Sequence, residues 1–148
     1  MTTTMQRLAQ REPHAKRALR ALVVDDRDDV AMGLELLLMQ MHYTVQVANS
    51  AHEALEKGGP LQPDVIFLDI GLPDLNGYEV CKEMREREWG SKAFIVALTG
   101  RNEPSDVLRA ANTGFDRHVG KPMDLKTLRE ILSTVEARKD QERGMEGR

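Results

Sequence analysis

The strongest constraint on this chain is a rhythm. Short apolar runs, "ALVV", "VIFL" and "FIVAL", are each followed by a polar turn and then by a stretch whose apolar residues recur at helical spacing. Runs of that length without polar alternation suit strands buried on both faces. Their alternation with amphipathic helices is the pattern of a parallel sheet covered by helices on either side. The expectation is an α/β domain built from strand-helix repeats, (βα)5 in all.

The repeats can be placed one by one. "RALVVDD" begins the first strand at Arg20, and the helix after it carries Val30, Leu34, Leu37, Leu38 and Met41 as an apolar stripe, weakened modestly by Gly33. "YTVQVA" alternates and reads as a second, more exposed strand. In "NSAHEALEKGG", Ser50 and Glu53 make a capping box, and Gly58 and Gly59 are stop signals. "PDVIFLD" is the third strand, and Asn76 caps the helix of "NGYEVCKEMRER" with Glu79 completing a box-like start. "KAFIVALTG" is a fourth strand ending at Thr99, and "EPSDVLRAANTG" a helix closed by Gly114. "FDRHVGKP" supplies a short fifth strand ending near Lys121, and the last helix sets Leu125, Leu128, Leu132 and Val135 on one face. Residues 1–18 and 138–148 are polar and charged, and read as tails around a domain from 19 to 137.

Composition narrows the function. A chain of 148 residues with 41% hydrophobic content fits one domain, and a net charge of −3 with no basic stripe argues against direct nucleic-acid binding. Cys81 is the one cysteine, so no internal disulfide is expected, and it reads as a small core hydrophobe. His14, His42 and His52 share no ligand spacing, and Met32, Met39, Met41 and Met84 read as core fillers. Nowhere do about 18 apolar residues run together, and the N-terminus lacks a signal-type apolar region. A cytoplasmic protein with no membrane contact is the expectation.

In an open parallel sheet, ligands bind outside the carboxyl ends of the strands, at the point where the chain order reverses. At those ends this sequence puts Asp25 and Asp26, Asp69, Thr99 and Lys121. Packed carboxylates repel, so without a cation at least one pKa is expected to rise, whereas Mg²⁺ would hold all of them ionised. Acids, a cation, a hydroxyl and a lysine together describe a phosphoryl-transfer site in which an Asp can be the nucleophile. Each residue alone has a plainer reading: Asp25 or Asp26 as a helix cap, Asp69 in an Asx turn, Thr99 at a loop start, Lys121 as a solvated amine. The combination at one edge favours the site.

In this order and on these strands, the residues resemble the receiver domain of bacterial two-component response regulators. The acidic pair Asp25 and Asp26, then Asp69, Thr99 and Lys121-Pro122 match that family's signature. Asp69, Leu72, Pro73, Leu75, Asn76 and Gly77 match its D-x-x-[LM]-P-x-[LM]-[DN]-G segment. The resemblance covers about Arg20 to Ala137 and implies a doubly wound, flavodoxin-like three-layer sandwich with sheet order 2-1-3-4-5. It further implies that Asp69 is the phosphoacceptor, and that Mg²⁺ is held by Asp26, Asp69 and the Gly71 carbonyl, with Asp25 acting through water. Lys121, the Thr99 hydroxyl and the Gly100 amide would meet the phosphoryl group, and Lys121-Pro122 would be a cis peptide. The implied partners are a histidine kinase or a histidine phosphotransfer protein, docking beside the first helix, and an unidentified downstream protein. Such a domain is a signalling phosphoacceptor rather than an enzyme with an external substrate.

His118 stands at the family's switch position, where Tyr or Phe is common, and reads either as a switch or as a packed strand residue. Gly71 and Gly100 leave little side-chain cover beside the phosphoryl position, which predicts a short-lived phosphorylated state. Two alternatives stay open. Asp26-Arg27-Asp28 resembles the D-x-D of haloacid-dehalogenase-type phosphatases, although that reading leaves Asp69 without a role. The domain could also dock partners without being phosphorylated.

Overall fold

The computed structural model describes residues 18–100 and 114–146. Five parallel strands form one sheet: β1 (Arg20–Val24), β2 (Thr44–Ala48), β3 (Val65–Asp69), β4 (Phe94–Thr99) and β5 (Arg117–Gly120), in the order β2-β1-β3-β4-β5. The helices are α1 (Asp28–Gln40), α2 (Ala51–Leu61), α3 (Gly77–Glu86) and α4 (Leu125–Glu146), with a 3₁₀ turn at Glu88–Gly90. The helix expected over residues 103–114 lies, but for Gly114, outside the described residues.

The topology follows from handedness. From β1 the chain steps outward to β2, then crosses back over β1 to β3; right-handed crossovers put α1 on one face of the sheet and α2 on the other. Two cores result. Leu22, Val24, Ile66, Leu68, Ile95 and Ala97 pack with α2 and α3, while Ala21, Val23, Val65, Phe67, Val96 and Leu98 pack with α1 and α4. Every residue of β3 and β4 is buried, as their unbroken apolar runs predict, and β2 and β5 are the more exposed edges.

Capping is largely as the sequence reads. Ser50 Oγ accepts the Glu53 amide at 3.1 Å, although the Glu53 carboxylate returns to the Asn49 amide rather than to that of Ser50. Asn76 Oδ1 accepts the Tyr78 amide at 2.8 Å.

Several local expectations are corrected. Gly58 and Gly59 do not end α2, which continues through Pro60 to Leu61 and closes at left-handed Gln62. Gly58 instead makes room for the Trp89 ring, which a Cβ would strike. On α1, Leu38 and Ala31 are buried while Leu37 is exposed, and Met32 and Met39 face solvent rather than filling the core; Met84 is buried as expected. Leu125 is exposed, so the buried face of α4 is Leu128, Ile131, Leu132 and Val135. Finally, α4 runs past Ala137 to Glu146. Lys139 pairs with Asp64 at 2.9 Å and Arg138 stacks on Phe94 at 4.8 Å, anchoring the turn just beyond that point to the sheet.

Candidate functional site

Strand register builds the site. Val24 pairs with Leu68 across β1 and β3, so Asp25 and Asp69 leave the sheet at the same level, beside the reversal of chain order. Asp69 pairs with Leu98 and Thr99 with Gly120, which brings Thr99 and then Lys121 to the same edge. The strand ladders continue one residue further: the amides of Asp25, Ile70 and Lys121 donate to Ala48, Leu98 and Thr99 at 3.0, 3.1 and 2.7 Å. Rigid strands therefore hold each functional group at its base.

One carboxylate oxygen each from Asp25, Asp26 and Asp69 lies within 4.8 Å of the others. Asp25 is 1% exposed and Asp69 7%, whereas Asp26 is open to solvent. Lys121 bridges the two buried acids, with its ammonium 2.8 Å from Asp25 Oδ2 and 3.3 Å from Asp69 Oδ2. Asp25 Oδ1 accepts the Arg27 amide at 3.0 Å, and Asp69 Oδ1 accepts that of Gly71 at 3.0 Å. Burial pushes the Asp69 carboxyl above its ordinary range and the nearby Asp25 adds to this, while the Gly71 amide and Lys121 pull the other way. The expected rise on crowding is thus met at Asp69, with desolvation as its larger cause.

The carboxylate set suits a hard divalent cation, which takes oxygen ligands and can use one or two protein carboxylates. Thr99 is buried and its hydroxyl donates a long bond, 3.4 Å, to the Val119 carbonyl. Lys121-Pro122 is cis, as expected. His118 Nε2 is buried with no hydrogen-bond partner among the described residues. Among the described residues, a Cβ at Gly71 would approach only Asp69 Oδ1, at 3.7 Å, and one at Gly100 would meet nothing within 4 Å.

Asp28 begins α1 and accepts a bond from Asn49 Nδ2 at 3.0 Å, while Asp69 joins Asp25 and Asp26 in the acidic group. That grouping gives Asp69 the place a phosphatase D-x-D reading denies it. Cys81 is buried on α3 and its thiol is pushed up to about 11 by burial, which keeps it protonated at neutral pH. His52 pairs with Glu56 at 3.0 Å on the surface of α2, which is no metal arrangement.

Residues 21–133 match the response regulator receiver domain family. The chain belongs to that family. Among curated relatives of this receiver domain, it is 30% identical to the response regulator ArlR of Staphylococcus epidermidis over 116 residues, covering 78% of this chain and 50% of that protein. It is 35% identical to the alkaline phosphatase synthesis transcriptional regulatory protein PhoP of Bacillus subtilis, covering 78% and 46% respectively. The receiver thus spans about half the length of these relatives. A two-component response regulator from Clostridium difficile superposes with a TM-score of 0.76 at 29% identity, covering 82% of this chain and 98% of that one. The haloacid-dehalogenase alternative is set aside, and the receiver's work is phosphoacceptor signalling. No described helix is long and apolar enough to cross a membrane.

Sequence reasoning found every member of this constellation but missed two polar residues next to it, Asn49 and Asp74. Asn49 Nδ2 donates to the Asp25 carbonyl at 3.1 Å as well as to Asp28, and the Asp74 carboxylate accepts from the first two amides of α2. The only signal in the sequence was a polar Asn immediately before the Ser50 cap.

Proposed function

We propose that Asp69 accepts a phosphoryl group from the phosphohistidine of a histidine kinase or a histidine phosphotransfer protein, and that the acceptance switches a protein-contact surface. The observation that carries this reading is Lys121, whose ammonium reaches both Asp25 and Asp69 inside the acidic group. One Asp69 carboxylate oxygen attacks phosphorus, the phosphorus–nitrogen bond to the donor imidazole breaks, and the departing ring nitrogen keeps the electron pair and takes a proton. Lys121 then turns from the carboxylates to the phosphoryl oxygens, and the Gly100 amide and the Thr99 hydroxyl add donors.

Asp26, Asp69 and the Gly71 carbonyl would hold Mg²⁺. When bound, the ion supplies positive charge that keeps the carboxylates ionised and offsets charge on the phosphoryl oxygens. Asp25, the most buried of the three acids and bonded to Lys121 and the Arg27 amide, would act on the ion through water.

Phosphorylation adds about −1.5 to −2 charges next to Thr99 and Lys121. Withdrawing the Thr99 hydroxyl from the Val119 carbonyl loosens β5 beside His118, whose buried Nε2 has no hydrogen-bond partner among the described residues. His118, with the exposed face of β5 and α4, is accordingly the switch surface for a downstream protein. Work in the cytoplasm, alongside the donor kinase, belongs to this proposal.

The test is titration of the isotope-labelled protein with beryllofluoride and Mg²⁺. Amide shifts at Thr99, His118, Val119 and Lys121 are expected. An unchanged spectrum would instead favour a module that docks without phosphorylation.

A further inference from the structure

The two loops that carry the acidic group hang from neighbouring strands, β1 and β3, yet a third loop ties them together. β2 lies on the far side of β1 from β3, and the turn after it, Asn49–Ser50, reaches back over the end of β1. At one side of this turn, Asn49 Nδ2 donates to the Asp25 carbonyl at 3.1 Å and to Asp28 Oδ1 at 3.0 Å. At its other side, Asp74 from the β3–α3 loop accepts the Ala51 amide on Oδ1 at 3.0 Å and the His52 amide on Oδ2 at 3.1 Å.

We propose that this turn is a brace that sets the distance between the Asp25–Asp26 loop and the Asp69–Gly71 loop, with Asn49 and Asp74 as its positioning residues. The proposal rests on the phosphoacceptor reading above and adds the groups that hold its two halves in register.

Ordinary helix capping does not account for the arrangement. Ser50 already serves the α2 N-terminus through the Glu53 amide, and Asn49 is held from behind by the Glu53 carboxylate at 3.2 Å. Asp74 comes from a different loop, over 20 residues along the chain, and uses both oxygens on consecutive amides. Such charge-assisted bonds are about twice as strong as neutral ones and fix orientation as well as distance. They hold the Asp74 carboxyl below its ordinary range.

The β3–α3 loop is also held nearer its ends. Ile70 is bonded to β4, Leu72 is buried, and the Gly77 amide returns to the Ile70 carbonyl. Between Leu72 and Asn76, Asp74 hydrogen-bonds to another element, α2. A ligand carbonyl on Gly71 and a ligand carboxylate on Asp26 would share one ion only if their separation is held, which is work for groups behind the ligands.

The test measures Mg²⁺ affinity of the full chain by calorimetry, together with metal-free amide shifts at Gly71 and Arg27. Asp74→Ala and Asn49→Ala are each expected to weaken Mg²⁺ binding by about 3- to 10-fold, at or below the range typical of outer-shell metal partners. The double variant is expected to lose little more than either, since cutting a brace at two points repeats one cut. Asp74→Asn, which keeps one acceptor oxygen, is expected to recover part of the loss. Ser50→Ala weakens the same helix without touching either loop, and is expected to leave affinity within about two-fold and the Gly71 and Arg27 shifts unchanged. Equal loss in Ser50→Ala, or no loss in Asp74→Ala and Asn49→Ala, would overturn the brace. Asp26→Asn separates the two claims: if it too leaves Mg²⁺ affinity unchanged, the metal reading fails and the brace with it, whereas its loss alone removes only the brace.

Discussion

Gly77→Ala is the perturbation that most sharply couples packing to the site. Gly77 does not need a left-handed backbone; it is glycine because α3 starts hard against the end of β3 and the loop that follows it. A Cβ there would stand 2.5 Å from Ile70 Cα, 3.0 Å from the Asp69 carbonyl oxygen and 3.2 Å from the Ile70 carbonyl carbon. Carbon atoms pack at about 3.5–4.0 Å, so helix and loop must part by about 1 Å, and all three obstacles are backbone. Overpacking of this kind costs about 1–3 kcal/mol, and the upper half of that range is expected where no side chain can swing away. The displaced loop carries Asp69 itself, and a misplacement of about 1 Å can cost up to about 100-fold in a positioned reaction. Urea unfolding is therefore expected to show a loss of about 2–3 kcal/mol with an unchanged m-value. Labelling by acetyl phosphate, followed by intact mass, is expected to slow by at least about 10-fold. Gly33→Ala is the control: nothing lies within 4 Å of its Cβ, and it is expected to stabilise by about 0.5–1 kcal/mol. A Gly77→Ala protein as stable and as quickly labelled as the parent would refute the close-packing account.

Lys121→Met leaves Asp25, 1% exposed, without its cation, and a loss of about 3 kcal/mol is expected in metal-free urea unfolding. Mg²⁺ is expected to restore more stability to that variant than to the parent, and equal effects would contradict a shared site. Burial raises the Asp69 carboxyl, so its ionisation costs stability: this cost is absent at low pH, where Asp69 is protonated whether folded or not, and grows as pH rises from about 3.8 through the raised folded value. Metal-free Asp69→Asn is accordingly expected to gain stability relative to the parent across that window and to hold a constant advantage above it, as read by thermal unfolding against pH. Larger side chains at Gly71 or Gly100, where a Cβ meets no close neighbour among the described residues, are expected to lengthen the hydrolysis half-life of the phosphorylated protein; an unchanged half-life would remove the short-lifetime expectation.

What was legible in the sequence was what local chemistry dictates. The unbroken apolar runs of β3 and β4 require burial on both faces, and once the strands are fixed their ends must carry Asp69 and Thr99 to one edge. Ser50 and Asn76 cap helices through bonds only two or three residues long, so they too could be read from spacing. The errors arose where a distant partner decides. Gly58 looks like a stop but is a seat for Trp89, about 30 residues away. The last helix looks finished near Ala137, yet Lys139 finds Asp64 below the sheet. The apolar residues of α1 exceed what its buried face can hold, so Met32, Leu36 and Met39 remain outside, at 57%, 55% and 55% exposure. Asn49 and Asp74 belong to the same class, since neither has a local sequence pattern that points to its partner.

The central claim is that Asp69 is the phosphoacceptor, and one measurement meets it directly. Parent protein and Asp69→Asn are incubated with acetyl phosphate, with Mg²⁺ or with a chelator in its place, and their intact masses compared. A single phosphoryl adduct on the parent, dependent on Mg²⁺ and absent from Asp69→Asn, is the result expected. Equal labelling of the two proteins would contradict it.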